Sequence, residues 1–178
     1  MTPRLVPVVS LLLVIIAVTS VSARADPPRP LQRLRLTDAR LRRILDEGRD
    51  QSPLFRSLVD RLEASDVVVY VQCARLRTHL DGELLFLTAA GGVRYVLVRI
   101  AWDVPPPRKI AILGHELQHA LEIAGSPDIV SAQTMAAAYK RFGFTRNRSG
   151  EQLDFDTTAA IATGLTVWRE LSARDDGE

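Results

Sequence analysis

The stretch that most constrains the fold is AILGHELQHALEIAG, from Ala111 to Gly125, which holds two of the chain's three histidines. Its apolar residues recur at the spacing of a helix, and Gly125 is suited to end that helix. On a helix, His115 and His119 lie nearly in line, about 6 Å apart along the axis. Histidines buried on so apolar a helix need partners, and the rest of the chain must supply them.

Segments with helical or β-strand spacing lie on both sides of this helix. Helices are predicted over residues 38–48, 53–65, 126–143 and about 150–171. Buried strands are predicted within residues 66–74 and 83–102. Thr37 reads as the N-cap of the first helix and Gly48 as its end. Gly91-Gly92 divides the longer β segment into two strands of a hairpin. The sequence therefore predicts an α+β fold, with helices packed on a small three-stranded sheet.

The first 25 residues have the pattern of a signal peptide. Arg4 precedes an apolar run from Leu5 to Val21, and Ala23-Arg24-Ala25 matches the small-x-small pattern of a cleavage site. We therefore expect an exported protein, periplasmic or secreted, with its domain in residues 26–178. The alternative is an uncleaved membrane anchor, since about 17 apolar residues can just span a bilayer.

Cleavage of this segment would also change the net charge of the chain. Residues 1–25 contain two arginines and no acid, which leaves 21 basic and 21 acidic residues in the mature chain. A neutral domain gives no electrostatic reason to expect nucleic-acid binding. We expect contact with a membrane only if the N-terminal segment is retained.

The His-Glu-x-x-His spacing predicts a zinc site. Two imidazoles on one helix face can reach one Zn²⁺ ion, and zinc accepts neutral nitrogens while leaving a position open for water. Glu116, turned beside the histidines, is placed to take a proton from a zinc-bound water as that water attacks a carbonyl. His115 and His119 are therefore the predicted ligands, and Glu116 is the predicted general base.

With these residues on a helix that follows a strand hairpin, the chain resembles the zincin metallopeptidases, and in particular small bacterial gluzincin-like proteins. The resemblance covers roughly residues 66–171, of which His-Glu-x-x-His is the specific part. It implies a sheet whose edge strand runs along the cleft and an active-site helix followed by a third-ligand helix. The metzincin extension is absent, because Glu122 holds its glycine position and no third histidine follows.

The gluzincin pattern implies an acidic third ligand from that later helix. The acids available are Asp128, Glu151, Asp154, Asp156 and Glu170. Asp156 is favoured because DFDTTAAIATG, residues 154–164, is similar to the corresponding segment of the family; Asp154 is the first alternative. Either residue would otherwise be a helix cap. Glu122 lies about 10.5 Å along the axis from His115, too far to share a tetrahedral ion, and is predicted either to support the site from outside the ligand set or to pair with an arginine.

Three functions remain open at this point. The first is an exported zinc-dependent peptidase that acts on a peptide or protein substrate. The second is a non-catalytic zincin-like module that binds a metal ion or a partner through the same cleft. The third is a membrane-anchored structural domain in which the motif arose by chance. The glutamate at position 116 favours the first, since binding alone has no need of a base.

Overall fold

A mixed four-stranded sheet is the centre of the computed structural model, which describes residues 33–77, 79–149 and 152–175. Its strands are β1 (Leu34–Leu36), β2 (Val67–Ala74), β3 (Gly82–Ala90) and β4 (Val93–Ala101). They lie in the order β1-β2-β4-β3. Strands β1, β2 and β4 are parallel, whereas β3 is antiparallel to β4 and forms one edge. The α+β class is confirmed, but the sheet has four strands rather than three.

The helices of the described residues are α1 (Ala39–Gln51), α2 (Pro53–Glu63), α3 (Pro106–Ala124), α4 (Ala132–Phe142) and α5 (Thr158–Asp175). A separate hairpin between α4 and α5 consists of β5 (Phe144–Ser149) and β6 (Gln152–Asp156). None of the described helices is both long and apolar enough to span a membrane. The predicted signal peptide, residues 1–25, lies outside the described residues.

The helix with the two histidines is buried in the middle of the fold. Side chains on several faces of α3 have no solvent exposure, among them Ile110, Leu113, Leu117 and Ile123. The helix packs against α1, α2, α5 and strands β2, β3 and β4. Such all-round burial is typical of a helix that is apolar on most of its surface. The buried side chains of α3 are therefore held in place by neighbours on several sides.

The turn between β3 and β4 forms where the sequence predicts it. Gly91 and Gly92 have φ angles of 58° and 75°, which only glycine adopts without strain. Strand β2 lies between β1 and β4 in the sheet. It contains an unbroken buried run, Val67 to Val69, as expected for a strand covered on both faces.

Two helices begin at residues other than the predicted ones. Asp38, not Thr37, caps α1, because its carboxylate accepts hydrogen bonds from the backbone N–H groups of Arg40 and Leu41. The hydroxyl of Thr37 instead donates to a β2 carbonyl. Helix α4 begins at Ala132 rather than near residue 126, because Ser131 and Thr134 form a reciprocal capping box. Helix α1 also continues past Gly48 to Gln51.

The largest difference from the prediction lies before α5. The helix expected from about residue 150 begins only at Thr158, and β5 and β6 precede it. The hydroxyl of Thr157 accepts from the backbone N–H of Ala160 and so caps α5. Asp156 is the last residue of β6 and therefore lies outside the helix in which it was predicted. The prediction of a ligand-bearing helix was wrong on this point.

A buried arginine joins the sheet to the end of the histidine helix. Arg94 on β4 is only 6% exposed, and its guanidinium donates to both carboxylate oxygens of Asp66. The same group donates to the carbonyls of Ile123 and Ala124 at the C-terminal end of α3. Helix ends leave such carbonyls without intrahelical partners, and a cation there is favourable. Arg94 thus fixes the end of α3 relative to the sheet.

Candidate metal centre

His115 and His119 lie side by side on α3, as the four-residue spacing predicts. Their ring centroids are 4.8 Å apart, with the ring planes nearly perpendicular. His119 is almost fully buried, whereas 19% of the His115 side chain is exposed. The two imidazoles therefore form one polar pair at the surface of a cavity.

Asp156 comes to this pair from the end of β6. Its Oδ1 atom lies 3.4 Å from His115 Nε2 and 3.5 Å from His119 Nε2. One ligand atom from each of the three residues lies within 4.8 Å of the others. Zinc bonds of about 2.0–2.1 Å at tetrahedral angles place two ligand atoms about 3.4 Å apart. Both distances from Asp156 match this separation, and the nitrogen and carboxylate donors are of the kind that zinc accepts.

The other candidate acids have different partners. Asp154 pairs with Arg77 at 2.7 Å and with His79 at 3.3 Å, both from the segment between β2 and β3. The rest face elsewhere or are not described. Asp128 pairs with Arg141 at the surface, Glu170 accepts from Ser52 and the Leu54 backbone, and Glu151 lies outside the described residues. Among the candidate acids in the described residues, Asp156 is the one that lies next to both histidines.

The carboxylate of Glu122 contacts His119 at Nδ1, the ring nitrogen that does not face Asp156. Its Oε2 atom lies 2.8 Å from His119 Nδ1 and accepts from the hydroxyl of Tyr139 at 3.1 Å. Its Oε1 atom accepts from the hydroxyl of Thr157 at 2.7 Å. A carboxylate on one ring nitrogen of a histidine fixes its tautomer and leaves the other nitrogen for a metal. Glu122 thereby directs His119 Nε2 towards Asp156.

Two members of this network had no signal in the sequence. Tyr139 comes from α4 and Thr157 from the residue after β6, and neither belongs to a motif. The hydroxyl of Thr157 makes two hydrogen bonds: it donates to Glu122 and accepts from the backbone N–H of Ala160 in the first turn of α5. Only the fold brings these residues to His119, so no local pattern predicts them.

The charges around His119 favour a cation. Burial alone would lower the pKa of His119, but hydrogen bonds with Asp156 and Glu122 outweigh burial and raise that pKa to about 9. Burial would raise the pKa of each carboxyl, yet hydrogen bonding to His119 lowers both pKa values overall. In the metal-free protein, a proton on His119 therefore provides the positive charge that a metal ion would provide when bound.

The metal-free protein is expected to become less stable as the pH rises towards 9. The folded-state pKa of His119 is above its unfolded value of 6.5, so its contribution is complete below pH 6.5 and is lost as the pH passes through about 9. Thermal melts in chelator across this range measure the effect. The variant His119→Gln should lose that part of the slope. A slope that is equal in the variant and the wild type would contradict the assignment.

Glu116 lies in the same cavity and is 5% exposed. Its negative charge contributes to the raised pKa of His119. The first residue of β3, Gly82, approaches it very closely: a Cβ atom at this glycine would lie 2.8 Å from Glu116 Oε1 and 2.5 Å from Ile112 Cγ2. The backbone of the edge strand thus borders the carboxylate, and only a residue without a side chain fits there.

A cavity of about 880 Å³ contains the triad and Glu116. It extends between the start of β3, the exposed side of α3 and one face of α5. This volume lies in the range of sites that bind small molecules or short peptide segments. His79, between β2 and β3, is 39% exposed at its side chain and lines the same cavity.

Comparisons with models of protein families, with curated proteins and with solved structures found no match to this chain.

Proposed function

We propose that this protein is an exported zinc-dependent peptidase that uses Glu116 as its general base. The observation that carries the proposal is the position of Asp156 Oδ1, 3.4 Å and 3.5 Å from the Nε2 atoms of His115 and His119. Two neutral nitrogens and one carboxylate oxygen are a typical set of protein ligands for catalytic zinc. A bound zinc ion would supply Lewis acidity to a water molecule and to a substrate carbonyl.

The chain's own residues supply the proton transfers. Glu116 is not one of the three ligands, and it lies within the cavity where the attacking water must stand. Its carboxylate takes the proton from that water and delivers it to the departing amine, which is the ordinary cycle of a general base and acid. Gly82 lies close to Glu116 on the side of the edge strand, which limits how far the carboxylate can turn in that direction.

A peptide is the substrate that the cavity fits best. Residues 82–85 of β3 line it, and β3 forms an edge of the four-stranded sheet. An edge strand presents backbone N–H and C=O groups to which an extended peptide can add as a further strand. Such pairing would lay the peptide backbone alongside Glu116. Export of the mature domain, residues 26–178, is part of the same proposal and rests on the cleavage pattern around Ala25.

The experiment compares wild type with Glu116→Gln. We expect the variant to keep zinc with an affinity close to that of the wild type, because Glu116 is not a ligand. Cleavage of a mixed set of quenched fluorescent peptides should fall by about 10²–10⁴-fold, the usual contribution of a general base. Glu47→Gln on α1, outside the cavity, makes the same chemical change and should leave both readouts unaltered.

The outcomes separate the three functions considered. Zinc binding without cleavage of any peptide by the wild type would favour the non-catalytic metal- or partner-binding module. Failure to bind zinc would favour a structural domain with a chance motif. Equal cleavage by wild type and Glu116→Gln would show that another group is the base.

A further inference from the structure

The helix behind the metal centre presents two different faces. Ala160, Thr163, Val167 and Leu171 are buried and form the inner face. The adjacent face lines the cavity with Ile161, Gly164, Leu165 and Trp168. The second set has the spacing i, i+3, i+4, i+7, which places all four residues along one side of the helix. One strip of α5 therefore faces the cavity over two turns.

This strip contacts His115, a predicted metal ligand on α3. A Cβ atom at Gly164 would lie 3.2 Å from the Cβ of His115, so the backbone of α5 is in close contact with that histidine. Leu165 is the next residue, and Trp168 lies four residues beyond Gly164, about 6 Å along the helix axis. A ligand held at the metal would therefore reach the strip with its neighbouring group.

The strip is apolar and exposed. Leu165 is 50% exposed and Trp168 is 44% exposed, although residues this large and apolar usually lie inside. Ile112 on α3 also lines the cavity, on the side of the edge strand, where its Cγ2 atom lies next to Gly82. The charged groups of the cavity come from other elements, such as Asp81 and Glu83 near the edge strand and Arg108 on α3. Adjacent exposed apolar side chains at a cavity commonly mark a binding surface.

We propose that this strip of α5, with the side chains of Ile161, Leu165 and Trp168, binds a bulky apolar side chain next to the scissile bond. The inference rests on the proposed peptidase function and adds its substrate class: peptides with a leucine-like or phenylalanine-like residue at that position. The driving force is removal of apolar surface from water on both partners. A small or charged side chain would leave the strip exposed or lose its own hydration.

The test uses binding rather than turnover. N-acetylated hydroxamates of glycine, leucine and phenylalanine share one zinc-binding group and differ only in the side chain. Their dissociation constants are measured by calorimetry on the zinc-loaded protein. We expect the leucine and phenylalanine compounds to bind at least about tenfold more tightly than the glycine compound, as differences of a few methylenes do in apolar pockets.

Variants locate the preference on α5. Leu165→Ala combined with Trp168→Ala should reduce it to about threefold or less and leave the affinity for the glycine compound unchanged. Alanine is a strong helix former and both positions are largely exposed, so α5 should remain folded. Trp102→Ala, at a tryptophan that is 55% exposed and outside the cavity, is the matched control and should keep the full preference.

A separate optical readout uses Trp168 itself. In a Trp102→Phe background it is the only tryptophan, and the leucine compound should shift its emission to the blue while the glycine compound should not. If all three compounds bind equally, or if the preference survives in the double variant, the inference is overturned while the metal centre stands. If zinc is bound and none of the compounds binds, the proposed open catalytic site fails as well.

Discussion

Replacement of Asp156 by alanine or asparagine is expected to lower zinc affinity by more than about 100-fold and to remove peptidase activity. Asp156 is the proposed third ligand beside the two histidine nitrogens, and two ligands alone hold zinc weakly. The loss should exceed the roughly 10–100-fold effect of partners outside the ligand set. Competition with a fluorescent zinc chelator measures the affinity, and quenched peptides measure the activity.

Two neighbouring acids are the controls. Asp154→Ala removes the ion pair with Arg77 but leaves the triad intact, so its zinc affinity should stay within about tenfold of wild type. Glu122→Ala removes the carboxylate that contacts His119 Nδ1, and its zinc affinity should be about 10–100-fold lower than that of wild type. If Asp156→Ala binds zinc as tightly as wild type while Asp154→Ala does not, the third ligand is assigned to the wrong residue.

Gly82→Ala is expected to lower peptidase activity by on the order of 100-fold while the protein keeps its zinc. The new Cβ would lie 2.8 Å from Glu116 Oε1 and 2.5 Å from Ile112 Cγ2, closer than side-chain atoms can approach. The carboxylate or the start of β3 must therefore move, and a displacement of about 1 Å can cost on the order of 100-fold in rate. The ligand residues are not touched by the new atom. Zinc content and peptide cleavage, measured on the same preparation, test the two halves of this expectation.

Gly125→Ala is the matched control for that substitution. The nearest atoms to its new Cβ are 3.5 Å or more away, and the φ angle at Gly125 is −74°, which alanine adopts readily. Its activity should therefore equal that of wild type. If Gly82→Ala cleaves peptides at more than about a tenth of the wild-type rate, Glu116 is not confined as described, or it is not the base.

Local patterns predicted the parts of the fold whose signals lie within one element. The apolar spacing around His115, the β-branched run of β2 and the paired glycines of the hairpin each correspond to one observed element. Strand β1 was missed because three residues are too short to show alternation. The helix predicted from about residue 150 begins later, because Ser149 and Gln152 are paired across β5 and β6. Pairing between strands overrides such a local preference.

Some residues of the candidate site could be predicted from local spacing, and others could not. His115, Glu116 and His119 are near neighbours on one helix, so spacing alone brings them together. Asp154 and Asp156 are two residues apart on one strand and cannot be ranked by spacing. What distinguishes them is their partners: Arg77 and His79 hold the first, and the histidine pair faces the second. Those contacts join parts of the chain that are far apart in sequence, and only the folded chain shows them.

The position of Asp156 would make a bound metal ion a cross-link as well as the proposed reaction centre. His119 and Asp156 are 37 residues apart, and α4 and the β5–β6 hairpin lie between them. A chain with a single cysteine has no internal disulfide with which to close such a loop. Closing a flexible loop of this length costs about 3 kcal/mol of chain entropy, which a bound ion offsets in the folded state. Uptake of metal after export would then complete folding of this half of the domain, so that an unmetallated chain presents the loop to proteases.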